Sequence, residues 1–240
     1  MNVKFTISYD GTLFKGSQRQ PSNDAVEDRV LEAFRYLNVD AKIVLSGRTD
    51  KDVHATGQVF NVVLPEYLND FKKLKKVLNK MLPDSIRIRF IEKVKDEFHS
   101  RFHAKYRVYR YIVTTKPTTP FNSKYITHVP SINEVLIKEA IKEFIGVHDF
   151  EYFHKLGSDK ENLVREIFDT CFYRYKDIYV FKFTANSYLR SQIRLMVGFL
   201  LEISKGRLSI DDLKMQLSKE KHLFKVPAKP YGLYLAKVKY

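Results

Sequence analysis

The stretch Ala41-Lys42-Ile43-Val44-Leu45-Ser46-Gly47-Arg48-Thr49-Asp50-Lys51-Asp52-Val53-His54-Ala55-Thr56-Gly57-Gln58-Val59-Phe60-Asn61-Val62-Val63-Leu64 decides the fold. Its ends, Ala41 to Ser46 and Gln58 to Leu64, are apolar and β-branched, and its middle, Gly47 to Gly57, is polar. That pattern predicts two strands joined by a polar connection. Upstream, Asp24 with Glu27 marks a capping-box start, and Val26, Val30, Phe34 and Leu37 follow at helical spacing. Further back, Val3, Phe5 and Ile7 share one face of a strand ending at Tyr9. Downstream, Asp70 opens a second helix with Phe71, Leu74, Leu78 and Met81 on its apolar stripe, and Pro83 ends it. Ile86, Ile88 and Phe90 begin another strand. The order is β-α-β-β-α-β, that of a ferredoxin-like unit.

The same order recurs. Lys105 to Val113 reads as a strand, and Ser131 with Glu134 caps a helix stopped by Gly146. Val164 to Tyr173 and Ile178 to Phe183 read as strands, and Ser187 to Ser204 as a helix. A short added helix, Ile210 to Leu217, precedes a closing strand, Leu233 to Tyr240. The expected fold is α+β: two ferredoxin-like β-α-β-β-α-β halves, residues 1–104 and 105–240. No Gly/Ser linker separates them, so their antiparallel sheets are expected to pack as one body with a cleft between.

The chain has 240 residues, and 42 Lys and Arg against 28 Asp and Glu leave a net charge of +14. Such an excess suits a polyanionic partner, whose counterions are released when cations neutralise its phosphates. Lysines on solvated faces give the same excess, so charge alone does not single out nucleic acid. The single cysteine, Cys171, excludes an intramolecular disulfide framework and a multi-cysteine zinc site. Met1 to Asp10 alternates apolar and polar residues and lacks the apolar core of a signal peptide. The apolar run Leu195 to Leu201 is interrupted by Gly198 and too short to span a bilayer. A cytoplasmic protein with no membrane partner is expected.

The polar connection packs Arg48, Asp50, Lys51, Asp52 and His54 between two strands. On an extended backbone Arg48 and Asp50 point the same way. An arginine beside a carboxylate keeps it ionised, and an ionised aspartate serves as nucleophile or general base. Spacing alone favours an ordinary polar hairpin loop with a surface ion pair.

Gly47-Arg48-Thr49-Asp50, followed by Val53-His54-Ala55 and Gly57-Gln58-Val59, closely resembles the signature of the tRNA pseudouridine synthase A family. Tyr9-Asp10-Gly11, Phe14, Gly16 and Gln18-Arg19-Gln20-Pro21 resemble its opening segment. Phe98-His99-Ser100-Arg101-Phe102 with Tyr109-Arg110-Tyr111 resembles its central motif. His148-Asp149-Phe150, Val164-Arg165, Arg194, Gly198 and Gly232-Leu233-Tyr234 fit its second half. Matches in one order along the whole chain are far more specific than any short motif. The resemblance implies two ferredoxin-like halves, a homodimer, no metal or organic cofactor, and conversion of uridine to pseudouridine at positions 38, 39 and 40 of the tRNA anticodon stem-loop. It places the catalytic aspartate, the nucleophile, on Asp50. Supporting arginines fall on Arg48 and Arg194, and the tyrosine contacting the target base on Tyr109. Two departures stand out. Lys51-Asp52 replace the usual Ala-Gly, and Ser17 replaces a common Trp.

Each role has a plainer rival. Arg107, Tyr109 and Tyr111 share a strand face, so Tyr109 fits equally well as a cap on the core. Arg194 lies at the margin of an apolar helical stripe and requires either a partner or an exposed face. The lysines of residues 71–82 suit phosphate binding or simple solvation. Arg19, Arg101, Lys105, Arg107 and Arg110 flank the aromatic and catalytic motifs and are the better candidates for RNA contacts. His54 either contacts RNA or orients the loop. His99, His103 and His148-Asp149 suggest a metal-dependent phosphohydrolase, but no set of ligands in register completes a site. The remaining alternative is a non-catalytic RNA-binding module on the same fold.

Overall fold

The computed structural model describes residues 1–155 and 162–240. Two compact units divide the chain: Met1–Lys105 with Tyr234–Tyr240, and Tyr106–Leu233.

In the first unit, β1 (Asn2–Tyr9), α1 (Val26–Arg35), β2 (Val44–Leu45), β3 (His54–Val63), α2 (Phe71–Met81) and β4 (Ile86–Lys93) follow in the expected order. β1 pairs antiparallel with both β3 and β4. Phe5 and Phe60 face each other in that register and stack with centroids 4.8 Å apart, and Phe34 of α1 meets Phe5 edge-on at 5.6 Å. All three rings are fully buried, each removal from water contributing about 1.5–3 kcal/mol. Asp70 caps α2 as expected, its carboxylate accepting from the Lys73 amide at 2.9 Å.

Several boundaries differ from those read in the sequence. α1 begins at Val26, and it is Asp28 that accepts from the Ala25 amide, while Asp24 pairs with Lys15 at 2.9 Å. The strand expected over Ala41 to Ser46 shortens to Val44–Leu45, and β3 starts at His54 instead of Gln58. Both shifts follow from strand pairing. β2 pairs with β3 only at Phe60 and Asn61, and the C-terminal strand pairs in parallel with β3 at His54 and Ala55. That strand, β10 (Leu233–Lys239), therefore places Tyr234–Tyr240 in the first unit, where the sequence order had assigned them to the second half.

The second unit contains β5 (Tyr106–Thr114), β6 (Thr127–His128), α3 (Glu134–Ala140), β7 (Gly146–Asp149), β8 (Val164–Tyr175), β9 (Ile178–Ala185), α4 (Gln192–Ser204) and α5 (Ile210–Leu217). β5, β9, β8 and β7 form an antiparallel sheet in that order, with β6 parallel to β5. Phe144, Phe153, Phe181, Phe183 and Phe199 fill its core. α3 is capped by Asn133 instead of Ser131, through a bond from the Leu136 amide. α4 starts at Gln192 instead of Ser187, because Ser191 adopts a left-handed φ of 59° that no helix continues through.

Candidate active site

The Asp50 loop has almost no regular structure, and side chains from outside it fix its backbone. Thr49 is buried. Its amide donates to the Ser17 hydroxyl at 2.8 Å, its carbonyl accepts from the Ser17 amide at 3.1 Å, and its hydroxyl lies 2.8 Å from that of Tyr9. Gln58 donates to the Gly47 carbonyl at 2.9 Å and accepts from the Ser46 hydroxyl at 2.7 Å. Burial pushes the Tyr9 phenol up to about 12, so it stays protonated well beyond the neutral range. The close approach of neighbouring backbone also fixes the loop. Gly16 has a φ of +116°, and a Cβ there would stand 2.9 Å from the Thr49 carbonyl oxygen.

Between Thr49 and the turn, Asp50 is half-buried, while Arg48 and Lys51 are exposed. The Asp50 carbonyl accepts from the Val53 amide at 3.2 Å, closing a turn in which Asp52 has a left-handed φ of 64°. An aspartate tolerates this region better than most residues, so the turn survives where the family pattern has glycine. Ser17, the other departure, is wholly buried and provides the anchor for Thr49.

His54 is 2% exposed. Its Nδ1 accepts from the Gly11 amide at 3.1 Å and lies 3.3 Å from the Asp10 carboxylate. Its ring stacks on Tyr234 at 4.6 Å. It thus ties the end of β1 and the C-terminal strand to the residues just after the loop. Of the two roles open to it, orientation of the loop is the one its surroundings fit.

In the second unit, Tyr109 lies on β5 opposite Phe183 of β9. It is 7% exposed and meets Tyr188 edge-on at 5.1 Å. Arg194, in the first turn of α4, is half-buried, and its Nε donates to the Ala228 carbonyl at 2.7 Å. The Arg194 carbonyl in turn accepts from the Ala228 amide at 2.8 Å. A backbone carbonyl thus supplies a partner that the sequence left open. Arg107 is 9% exposed and donates to the Asn186 carbonyl at 2.6 Å, a tie between β5 and the end of β9. Arg19, Arg101 and Arg110 are exposed.

The histidines singled out for metal chemistry have local duties. His99 Nδ1 accepts from the amides of Arg101 and Phe102, and His103 Nδ1 from that of His99. Asp149 pairs with Lys219 at 2.7 Å. Among the described residues no group of three or more His, Cys, Asp or Glu side chains gathers to hold a metal. No helix among the described residues is long and apolar enough to cross a membrane.

Sequence reasoning missed the tethers Tyr9, Ser46 and Gln58 as a linked set. Their signal was faint but present: polar side chains at positions that strand alternation buries must find partners.

Comparison with known proteins gives a consistent picture. The sequence pattern of the family described as tRNA pseudouridine synthase matches residues 140–240. A protein from Wolinella succinogenes named tRNA pseudouridine synthase A is 39% identical over 98% of this chain and 92% of its own. One of the same name from Campylobacter jejuni strain RM1221 is 39% identical over the full length of both chains. Another, from Streptococcus agalactiae serotype Ia, is 39% identical over 99% of this chain and 94% of its own.

Proposed function

The chain belongs to the tRNA pseudouridine synthase A family, isomerases that act on tRNA, and from that premise we propose that it converts uridine to pseudouridine at positions 38, 39 and 40 of the anticodon stem-loop, with Asp50 as nucleophile. The observation that carries the assignment is the mounting of Asp50. A half-buried aspartate follows a threonine held at its amide, carbonyl and hydroxyl, so the backbone from which its carboxylate projects is fixed before substrate arrives.

The reaction breaks the N1–C1′ bond, turns the uracil and joins C5 to C1′, while the C5 proton leaves and N1 gains one. The target base must leave its stack. On the first unit, Asp50 attacks the sugar or the base, or assists elimination by taking a sugar proton, with Arg48 as cationic support. On the second unit, Tyr109 is assigned to the freed ring and Arg194 to charge support. Arg19, Arg101 and Arg110 are assigned to the RNA backbone. The same resemblance supports a homodimer working in the cytoplasm without metal or organic cofactor. The non-catalytic alternative has no comparable support, since the similar proteins are named as synthases.

The test uses tRNA carrying tritium at uridine C5. Release of tritium, unaffected by a chelator, is expected. Binding without release would overturn the assignment of activity.

A further inference from the structure

Helices α1, α3 and α5 place acids in their first turns, Glu27 and Asp28, Glu134, and Asp211 and Asp212, as the helix dipole favours. α2 does the reverse. It opens on Lys72 and Lys73, adds Lys75, Lys76 and Lys80, and contains no acid. Lys72, Lys76 and Lys80 repeat every four residues, a row with a step of about 6 Å along the axis. Like charges at that spacing repel, and nothing on the helix relieves them. All three are exposed, as is Lys73. α4 also carries a cation in its first turn, Arg194, already assigned to charge support at the active site.

Beside this row lies an exposed aromatic ring. Phe90 of β4 is 62% exposed, with Lys75 Nζ 5.7 Å and Arg89 Cζ 5.9 Å from its centroid. α2 also seals the adjoining backbone. Asn79 bonds both the amide and the carbonyl of Ile88, at 2.8 and 3.0 Å, and Lys75 donates to the Arg89 carbonyl at 2.5 Å. These bonds leave less free backbone for a further strand, so the surface offers side chains: a cationic row and a cation-flanked ring. The nearby acids are engaged elsewhere, Asp70 as the cap of α2, Asp84 with Arg87 and Glu92 with Lys4. Cations interleaved with an exposed ring suit phosphates and an unstacked base.

We propose that α2 and the Phe90 edge of β4 form a second RNA-binding surface that grips tRNA outside the reacting stem-loop, with Lys72, Lys76 and Lys80 on phosphates and Phe90 under a base. The proposal rests on the reading of tRNA as substrate. It is tested by measuring affinity against salt for full-length tRNA and for the isolated anticodon stem-loop. For the triple variant Lys72→Gln, Lys76→Gln, Lys80→Gln, affinity for full-length tRNA falls about tenfold, and the slope of log K against log salt becomes shallower by about two to three. Binding and turnover of the stem-loop stay at the parent level, and the melting temperature holds or rises because repulsion is relieved. Phe90→Ala weakens full-length binding without changing the slope. Parent-like affinity and slope on full-length tRNA would overturn the proposal, and so would equal losses on both RNAs. Failure of the parent protein to release tritium from either RNA would count against the activity and leave the binding result to stand on its own.

Discussion

The Asp50 loop and the neighbourhood of Tyr109 and Arg194 hold their side chains by opposite means. Tyr109 and Arg194 sit on a strand and a helix, whose own hydrogen bonds set the backbone. Asp50 sits where the chain makes almost no regular bonds, and Tyr9, Ser17 and Gln58 hold its neighbours instead. A regular element tolerates the loss of one contact, because its ladder remains. A tethered loop depends on each tether, so the two regions should answer differently to small substitutions.

The largest effect is expected at Asp50 itself. Asp50→Asn keeps the shape and deletes the charge, so tritium release falls by at least about a thousandfold while tRNA affinity changes little. Turnover near the parent rate would remove Asp50 from the chemistry.

Next comes Tyr109→Phe, which keeps the ring and its edge contact with Tyr188. Turnover falls about a hundredfold with a small change in affinity if the hydroxyl moves a proton. Unchanged turnover would reduce its role to stacking.

Gly16→Ala tests the loop's tethering directly. The added Cβ meets the Thr49 carbonyl in a backbone region that alanine avoids, so stability falls by about 1–3 kcal/mol and turnover by about tenfold. A stable, fully active variant would show that the loop does not need its anchor.

Tyr9→Phe removes one tether and costs about 1 kcal/mol at neutral pH. It also changes the alkaline response. The folded phenol titrates near 12 and the unfolded one near 10, so the folded state holds its proton longer and stability falls as pH rises through that window. The variant loses part of that fall, which thermal melts between pH 9 and 11 would detect.

The smallest effects concern the turn. Lys51→Ala weakens tRNA binding a few-fold, about 0.5–1 kcal/mol, and adding Asp52→Gly restores much of it. Simple additivity in a double-mutant cycle would show that Lys51 does not offset Asp52.

Legibility followed the range of the interaction. Apolar periodicity is local, so Val26, Val30 and Phe34, or Leu74 and Leu78, announced their helices and buried faces correctly. The Asp70 cap and the left-handed tolerance of Asp52 were equally local. Residue type alone did not reveal the partners of His54 and Arg107, since a charged or polar side chain does not show that a buried amide or carbonyl awaits it.

By itself, the sequence determined the order of strands and helices in the first unit, the family and the position of Asp50, because periodicity and motif spacing are written along the chain; in the second unit it missed the short strands β6 and β7. Only the tertiary structure decided which strand completes the edge of β3 and which side chains hold Thr49. The parallel pairing of β10 with His54 and Ala55 joins parts of the chain far apart in sequence. Pairing and tethering of that kind depend on which surfaces the folded core brings together, and no local pattern encodes that.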